Sequence, residues 1–280
     1  MRQIIDIFKT LTKSSNKIIK LIDTYDKTRQ NPVDNAYLLE KKISEIEKMV
    51  PELPEFELKN VLSAWLKKEK LEIEGFKEDF RLKFGQELNK RLSKTGKKIK
   101  GQYPILRIGF YTLKMDFQFG EATLFFGPEI EKIKSKIPLD PNTISETIEE
   151  YDKELKSVKS KTEDMLKILL EAYNRALKLS SKTSGEKLLI TDVLNEFVML
   201  KQSRKFLVDP QKIHFHEYSR VKLSYLLYFL KNSGLFEKGV RLHIATFDAT
   251  TDKTTSIWIP ENEEGEGTHY SHISFEGHGQ

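Results

Sequence analysis

Apolar residues recur at helical spacing through the first third of the chain. Ile4, Ile5, Ile7, Phe8 and Leu11 fit one face of a short amphipathic helix. Ile18, Ile19, Leu21, Ile22 and Tyr25 fit a second, with Ser14, Ser15 and Asn16 placed to cap it. Leu39, Ile43, Ile46 and Val50 follow at spacings of four, three and four, and Pro51 and Pro54 disfavour helix at the residues before them. A helical pair is predicted over about 56–92. Val61, Leu62, Trp65 and Leu66 share its first face, and Phe76, Phe80, Phe84 and Leu88 repeat every four residues, a stripe that reads as core.

The pattern changes at Tyr103. β-Branched and aromatic residues in partial alternation predict two or three antiparallel strands, over roughly 104–118 and 121–127, with a break at Gly120 and Glu121. After "PLDPNT", Ile144, Ile148, Tyr151, Leu155, Val158, Thr162, Met165 and Leu169 alternate spacings of four and three, which is a heptad seam. Asp140 or Asn142 suits its cap and Pro141 its first turn. Continued to about Leu179, this helix would be about 55 Å long. It serves either as half of an internal helical hairpin or as a rod that docks another subunit through Ile144, Ile148, Tyr151, Leu155 and Val158.

The last third mixes periods. Val193, Leu194, Phe197, Val198 and Leu200 predict a helix over Ile190–Lys205 that "VDPQ" closes. Ile213 and Phe215 alternate with His214 and His216, as in a short strand that puts both histidines on one face. Ser219 then caps a helix carrying Leu223, Leu226, Leu227 and Leu230. A hairpin is predicted from about Arg241–Phe247 and Thr255–Ile259, followed by a closing strand at "HYSHISFEG". The pattern predicts an α+β protein: a mostly helical N-terminal part, a small antiparallel β-element near 104–127, a long central helix and an α+β C-terminal module. Natural divisions are 1–102, 103–205 and 206–280.

Composition narrows the chemistry. The chain has 280 residues and no cysteine, which excludes disulfides, thiolate nucleophiles, iron–sulfur clusters and cysteine zinc sites. No window approaches the roughly 20 apolar residues of a membrane span, and charges interrupt the first segment every few residues, unlike a secretory signal. A cytoplasmic protein without membrane partners is expected. The net charge of +5 is unevenly placed: Glu57 to Gly101 holds 13 Lys or Arg against 7 Asp or Glu. Its densest part supplies Lys90, Arg91, Lys94, Lys97, Lys98 and Lys100 with no acid between them, a candidate track for a phosphate backbone. The plain alternative is a solvated helix end, where cations are favoured by the helix dipole.

Three arrangements are candidates for chemistry. His214 and His216, joined by His269, His272 and His243, would suit a transition metal, but the pairs are far apart in sequence and a His-x-x-His in a strand points its rings to opposite faces. Acid–base catalysis would draw on these histidines with Ser219, Ser224, Ser271, Asp248 and Asp252, yet no nucleophile elbow, Walker loop or His-Glu-x-x-His is present. Asp116 and Glu121 faintly resemble nuclease carboxylates, but Glu129, Glu131 and Lys132 stand at the wrong spacing to complete them. A winged-helix-like module also fits the element order, although the link before its second helix is far longer than a helix-turn-helix turn and that helix is poor in base-reading residues. No catalytic residue, metal ligand or cofactor is therefore assigned. The sequence reads as a non-enzymatic accessory or assembly subunit of a microbial intracellular complex, docking a protein partner or second copy and contacting DNA or RNA through the basic run. DNA maintenance or antiviral defence is the setting expected, and the rival reading is a metal-dependent nuclease or hydrolase.

Overall fold

A computed structural model describes residues 2–52, 57–157 and 162–276. It is an α+β structure that divides into two compact units. The first comprises Met1–Thr95 with two short returns of the chain, Asp116–Glu121 and Pro138–Asn142; the second holds the remainder.

The first unit is built on three helices, α1 (Arg2–Thr28), α2 (Ala36–Glu47) and α3 (Glu57–Lys94). The spacing of Leu39, Ile43 and Ile46 is the reason they share one face of α2, while Val50 lies beyond its end in a 3₁₀ turn, Val50–Glu52; all four are buried with Tyr25, Leu66 and Ile73. The aromatic stripe of α3 also turns inward, with Phe84 and Leu88 buried. The helical pair expected over 56–92 is one helix of 38 residues, and ion pairs tie it to α2 and to the turn before α2. Lys77 reaches Glu40 at 2.8 Å and Lys83 reaches Asp34 at 2.6 Å. Glu69, 3% exposed, accepts the Tyr25 hydroxyl at 2.5 Å and lies 3.3 Å from Arg29, so the buried carboxylate is compensated.

The second unit starts with five short strands in sequential antiparallel order: β1 (Ile99–Gln102), β2 (Ile105–Ile108), β3 (Tyr111–Asp116), β4 (Glu121–Phe126) and β5 (Glu131–Pro138). Two of these five lie beyond the strands that alternation predicted. β1 is the basic, glycine-containing "IKGQ", and β5 is "EKIKSKIP", whose lysines carry no β signature. Such charges are common on strands that form a sheet edge. In β4 the alternation is plain: Ala122, Leu124 and Phe126 are buried and their neighbours are half-buried.

Next come α4 (Pro141–Lys156) and α5 (Thr162–Leu179). The long rod predicted over about 144–179 is thus two helices, with α4 ending at Lys156 and the Ser157 hydroxyl donating back to the Glu154 carbonyl at 2.6 Å. Val158 lies outside the described residues. Each half of the seam has its own core: Ile144, Ile148 and Leu155 are buried, as are Met165 and Leu169.

The chain closes with β6 (Leu188–Leu189), α6 (Ile190–Leu200), α7 (Arg204–Val208), α8 (Arg220–Asn232), β7 (Val240–Ile244), α9 (Phe247–Thr251), β8 (Ile257–Pro260) and β9 (Gly267–Phe275). The hairpin expected between 241 and 259 is absent among the described residues. A short helix, α9, stands in place of its turn, and β7 and β8 both pair with β9 instead of each other. β9 can do this because its nine residues are long enough to serve β8 at one end and β6 and β7 at the other. Trp258 locks the two sheets together. Its ring packs edge-on to Phe126, and a Cβ at Gly127 or Gly267 would come within 2.9 and 2.4 Å of it.

Candidate interaction surface

Gln202 is a buried amide at the end of α6, and it holds both ends of a surface loop. Its Nε2 donates to the Val198 carbonyl at 2.8 Å and to the His216 carbonyl at 3.1 Å, while its Oε1 accepts the His216 peptide N–H at 2.9 Å. Residues 203–215 are thereby closed into a compact loop of the Ω type. Ser203 caps α7 by accepting the Phe206 N–H, and Phe206 and Phe215 meet edge to face at 5.3 Å, giving the loop a small core of its own. At its root, Phe197 packs on Tyr218 at 5.4 Å.

What this frame displays is apolar. Leu207, Val208 and Ile213 are 64%, 79% and 82% exposed, and Phe215 is also exposed. Arg204, Lys205 and Lys212 stand between them, also exposed. A loop fixed by hydrogen bonds that holds several large apolar side chains in water is a candidate interaction surface, because isolated exposed residues are ordinary but clustered ones are not. A usable signal for it lies in the sequence: Phe206, Leu207 and Val208 are three consecutive apolar residues ahead of Asp209-Pro210, a run that no single helix face can bury.

The histidines are not arranged as a strand would place them. Lys212–His214 form a 3₁₀ turn, Phe215 is extended and His216 lies in irregular chain, so "KIHFH" is part of the loop and not a strand. His214 Nε2 lies 3.8 Å from Asp209. His243 and His272 are opposite one another on β7 and β9, bonded to Ser274 at 3.0 Å and Ser271 at 2.9 Å. Burial, and then Lys187, holds His243 below the usual histidine range; burial, and then Lys182 and Lys187, does the same for His272. His269 faces Ser256 at 3.3 Å and is also lowered, first by burial. Among the described residues no three His, Asp or Glu side chains converge as a metal site would require.

Three of the carboxylates weighed for nuclease chemistry have partners within the fold, and Glu121 is the first residue of β4. Asp116 accepts the N–H groups of Gln118 and Phe119 at 3.0 and 3.2 Å, closing the turn after β3. Glu131 is shared by Arg220 at 2.8 Å and Lys253 at 2.6 Å, and Glu129 pairs with Lys114 at 2.9 Å. Ser219 caps α8, accepting the Lys222 N–H as its position predicted.

The basic run is divided by its partners. Lys97 is mostly buried and sits 2.6 Å from Asp152, whose other oxygen accepts the Tyr111 hydroxyl at 2.8 Å. Burial first, and then Asp152, pushes Tyr111 above the ordinary tyrosine range. Lys100 pairs with Glu264. Lys90 and Lys94, on the last turns of α3, and Lys98 are exposed and in no ion pair among the described residues, while Arg91 is half-buried with its Nε unbonded there. The positions expected to dock a partner fare similarly: Ile144, Ile148 and Leu155 are interior, and Tyr151 is half-buried. Set beside protein-family models, curated proteins and solved structures, the chain matches none.

Proposed function

We propose that the protein is a non-enzymatic accessory subunit that docks a protein partner through the 203–216 loop. The observation that carries this reading is the exposure of Leu207, Val208 and Ile213 on a loop already fixed by Gln202. Pre-organisation matters here because a surface ordered before binding loses less entropy on docking. Three exposed aliphatic anchors with a rim of Arg204, Lys205 and Lys212 have the layout of an interface core and its polar edge. The docking role expected of the α4 seam passes to this loop, since Ile144, Ile148 and Leu155 are covered by the chain itself.

Nucleic-acid binding is a secondary element of the proposal, and it falls to Lys90 and Lys94, exposed cations without an acid partner among the described residues. Replacing both by Ala should lower the slope of log K against log salt by about one for each phosphate no longer neutralised. An unchanged slope would show that these lysines take no part in binding. The docking claim is tested with a photo-crosslinking residue at Ile213, compared with one at Phe119, which is 77% exposed but on a turn. A discrete adduct with another protein at Ile213 and none at Phe119 is expected; equal adducts at both would refute it.

A further inference from the structure

The first helix carries a second uncovered surface, independent of the loop. Taking about 100° per residue, Ile5, Phe8, Thr12, Asn16 and Ile19 fall within one arc of about 80° on α1, which Asp23 and Asp26 continue toward its C-terminal end, turned away from buried Ile18 and Tyr25. Ile5, Phe8 and Ile19 are 48%, 63% and 54% exposed. The neighbouring arc of about 80° collects Arg2, Lys9, Lys13, Lys17 and Lys20, with Asp6 as the acid among them. All five cations are exposed, and among the described residues none is in an ion pair. Ile5, Phe8, Lys9, Thr12, Lys13 and Asn16 form one continuous patch of the helix surface.

We propose that this face of α1 rests on an anionic lipid surface, with Ile5 and Phe8 entering the headgroup layer and Lys9, Lys13, Lys17 and Lys20 meeting the lipid charges. Charge complementarity and the pattern of the stripe both select this occupant. A partner helix in a groove needs apolar anchors repeated at every turn, whereas Thr12 and Asn16 interrupt this stripe for two turns. A nucleic-acid backbone would use the lysines but leave Ile5 and Phe8 idle. A planar interface uses both, because shallow apolar insertion and diffuse attraction to anionic headgroups add together. No helix among the described residues is long and apolar enough to cross a membrane, so α1 would lie on the surface and not span it.

The test is flotation of the full chain with vesicles of phosphatidylcholine containing about one third phosphatidylserine, against phosphatidylcholine alone. Binding to the anionic vesicles only, released by salt, is expected. The pairs Ile5→Ser/Phe8→Ser and Lys9→Glu/Lys13→Glu should each weaken it by about tenfold or more, while Val208→Ser/Ile213→Ser leaves it unchanged. Absence of binding to anionic vesicles, or undiminished binding by the two α1 variants, overturns the proposal. So does a duplex DNA that binds through the same lysines and is indifferent to Ile5→Ser/Phe8→Ser. None of these results bears on the loop, which the crosslinking experiment tests separately.

Discussion

The α4 seam and the 203–216 loop hold apolar side chains in opposite situations. On α4 the spacing is regular and the residues are interior: Ile144 and Ile148 are 0% exposed. In the loop the spacing is irregular, and Leu207, Val208 and Ile213 face water. Periodicity reports that a set of side chains shares one surface, and it does not say whether the chain itself covers that surface. The irregular apolar residues, held by the Gln202 clasp, are the ones this fold leaves uncovered.

Breaking the seam should have the largest effect. Ile148→Asp places an unpaired charge in the core and should cost more than about 4 kcal/mol, seen as loss of the folding transition in urea. If Ile148→Asp folds normally, the seam is not interior. Gln202→Ala removes the two hydrogen bonds that close the loop and the one that anchors the amide to Val198, and leaves the His216 peptide without its partner, at a cost of about 1–3 kcal/mol. Faster hydrogen exchange confined to 203–216 is the expected signature; unchanged exchange would mean the loop is held by other interactions.

A smaller effect concerns the sheet and not the loop. His243 and His272 have folded pKa values below the ordinary 6.5. Their neutral form is favoured by folding, so this stability is complete above about pH 6.5 and is lost as pH falls through the lowered folded values. Lys182, Lys187 and Arg241 oppose protonation and Glu276 favours it at His243. Thermal melts from about pH 7.5 down to about 4.5, a range of about three units around the histidine pKa, should show the decline, and His243→Gln/His272→Gln should reduce it, leaving the share carried by His269. The smallest effect is predicted for Leu207→Ser/Ile213→Ser: a change in stability within about 0.5 kcal/mol, with loss of the crosslinked partner. A larger destabilisation would mean these side chains support the fold.

Much of the fold was legible because local rules and burial agree there. Leu39, Ile43 and Ile46 predicted their helix face, and Ser219 predicted its cap. β1 and β5 were not legible, because lysine-rich strands are selected by position at a sheet edge and not by propensity. The β7–β8 hairpin failed for a similar reason: β9, distant in sequence, supplies a longer partner than either strand gives the other. At the candidate site, Gln202 was invisible. Its role depends on His216, 14 positions away, and nothing in a polar residue at a helix end announces a clasp. The histidine pair that does meet, His243 with His272, was obscured by the more conspicuous His214 and His216.

The contrast between seam and loop is tested most directly by thiol labelling, since the chain has no cysteine and any introduced thiol is unique. Val208→Cys and Ile148→Cys would each be treated with a maleimide under native conditions. Val208→Cys should label at the rate of an unstructured peptide and Ile148→Cys only through rare opening, slower by orders of magnitude. Equal rapid labelling at the two positions would show that the seam is as open to solvent as the loop, and the distinction drawn between them would fall.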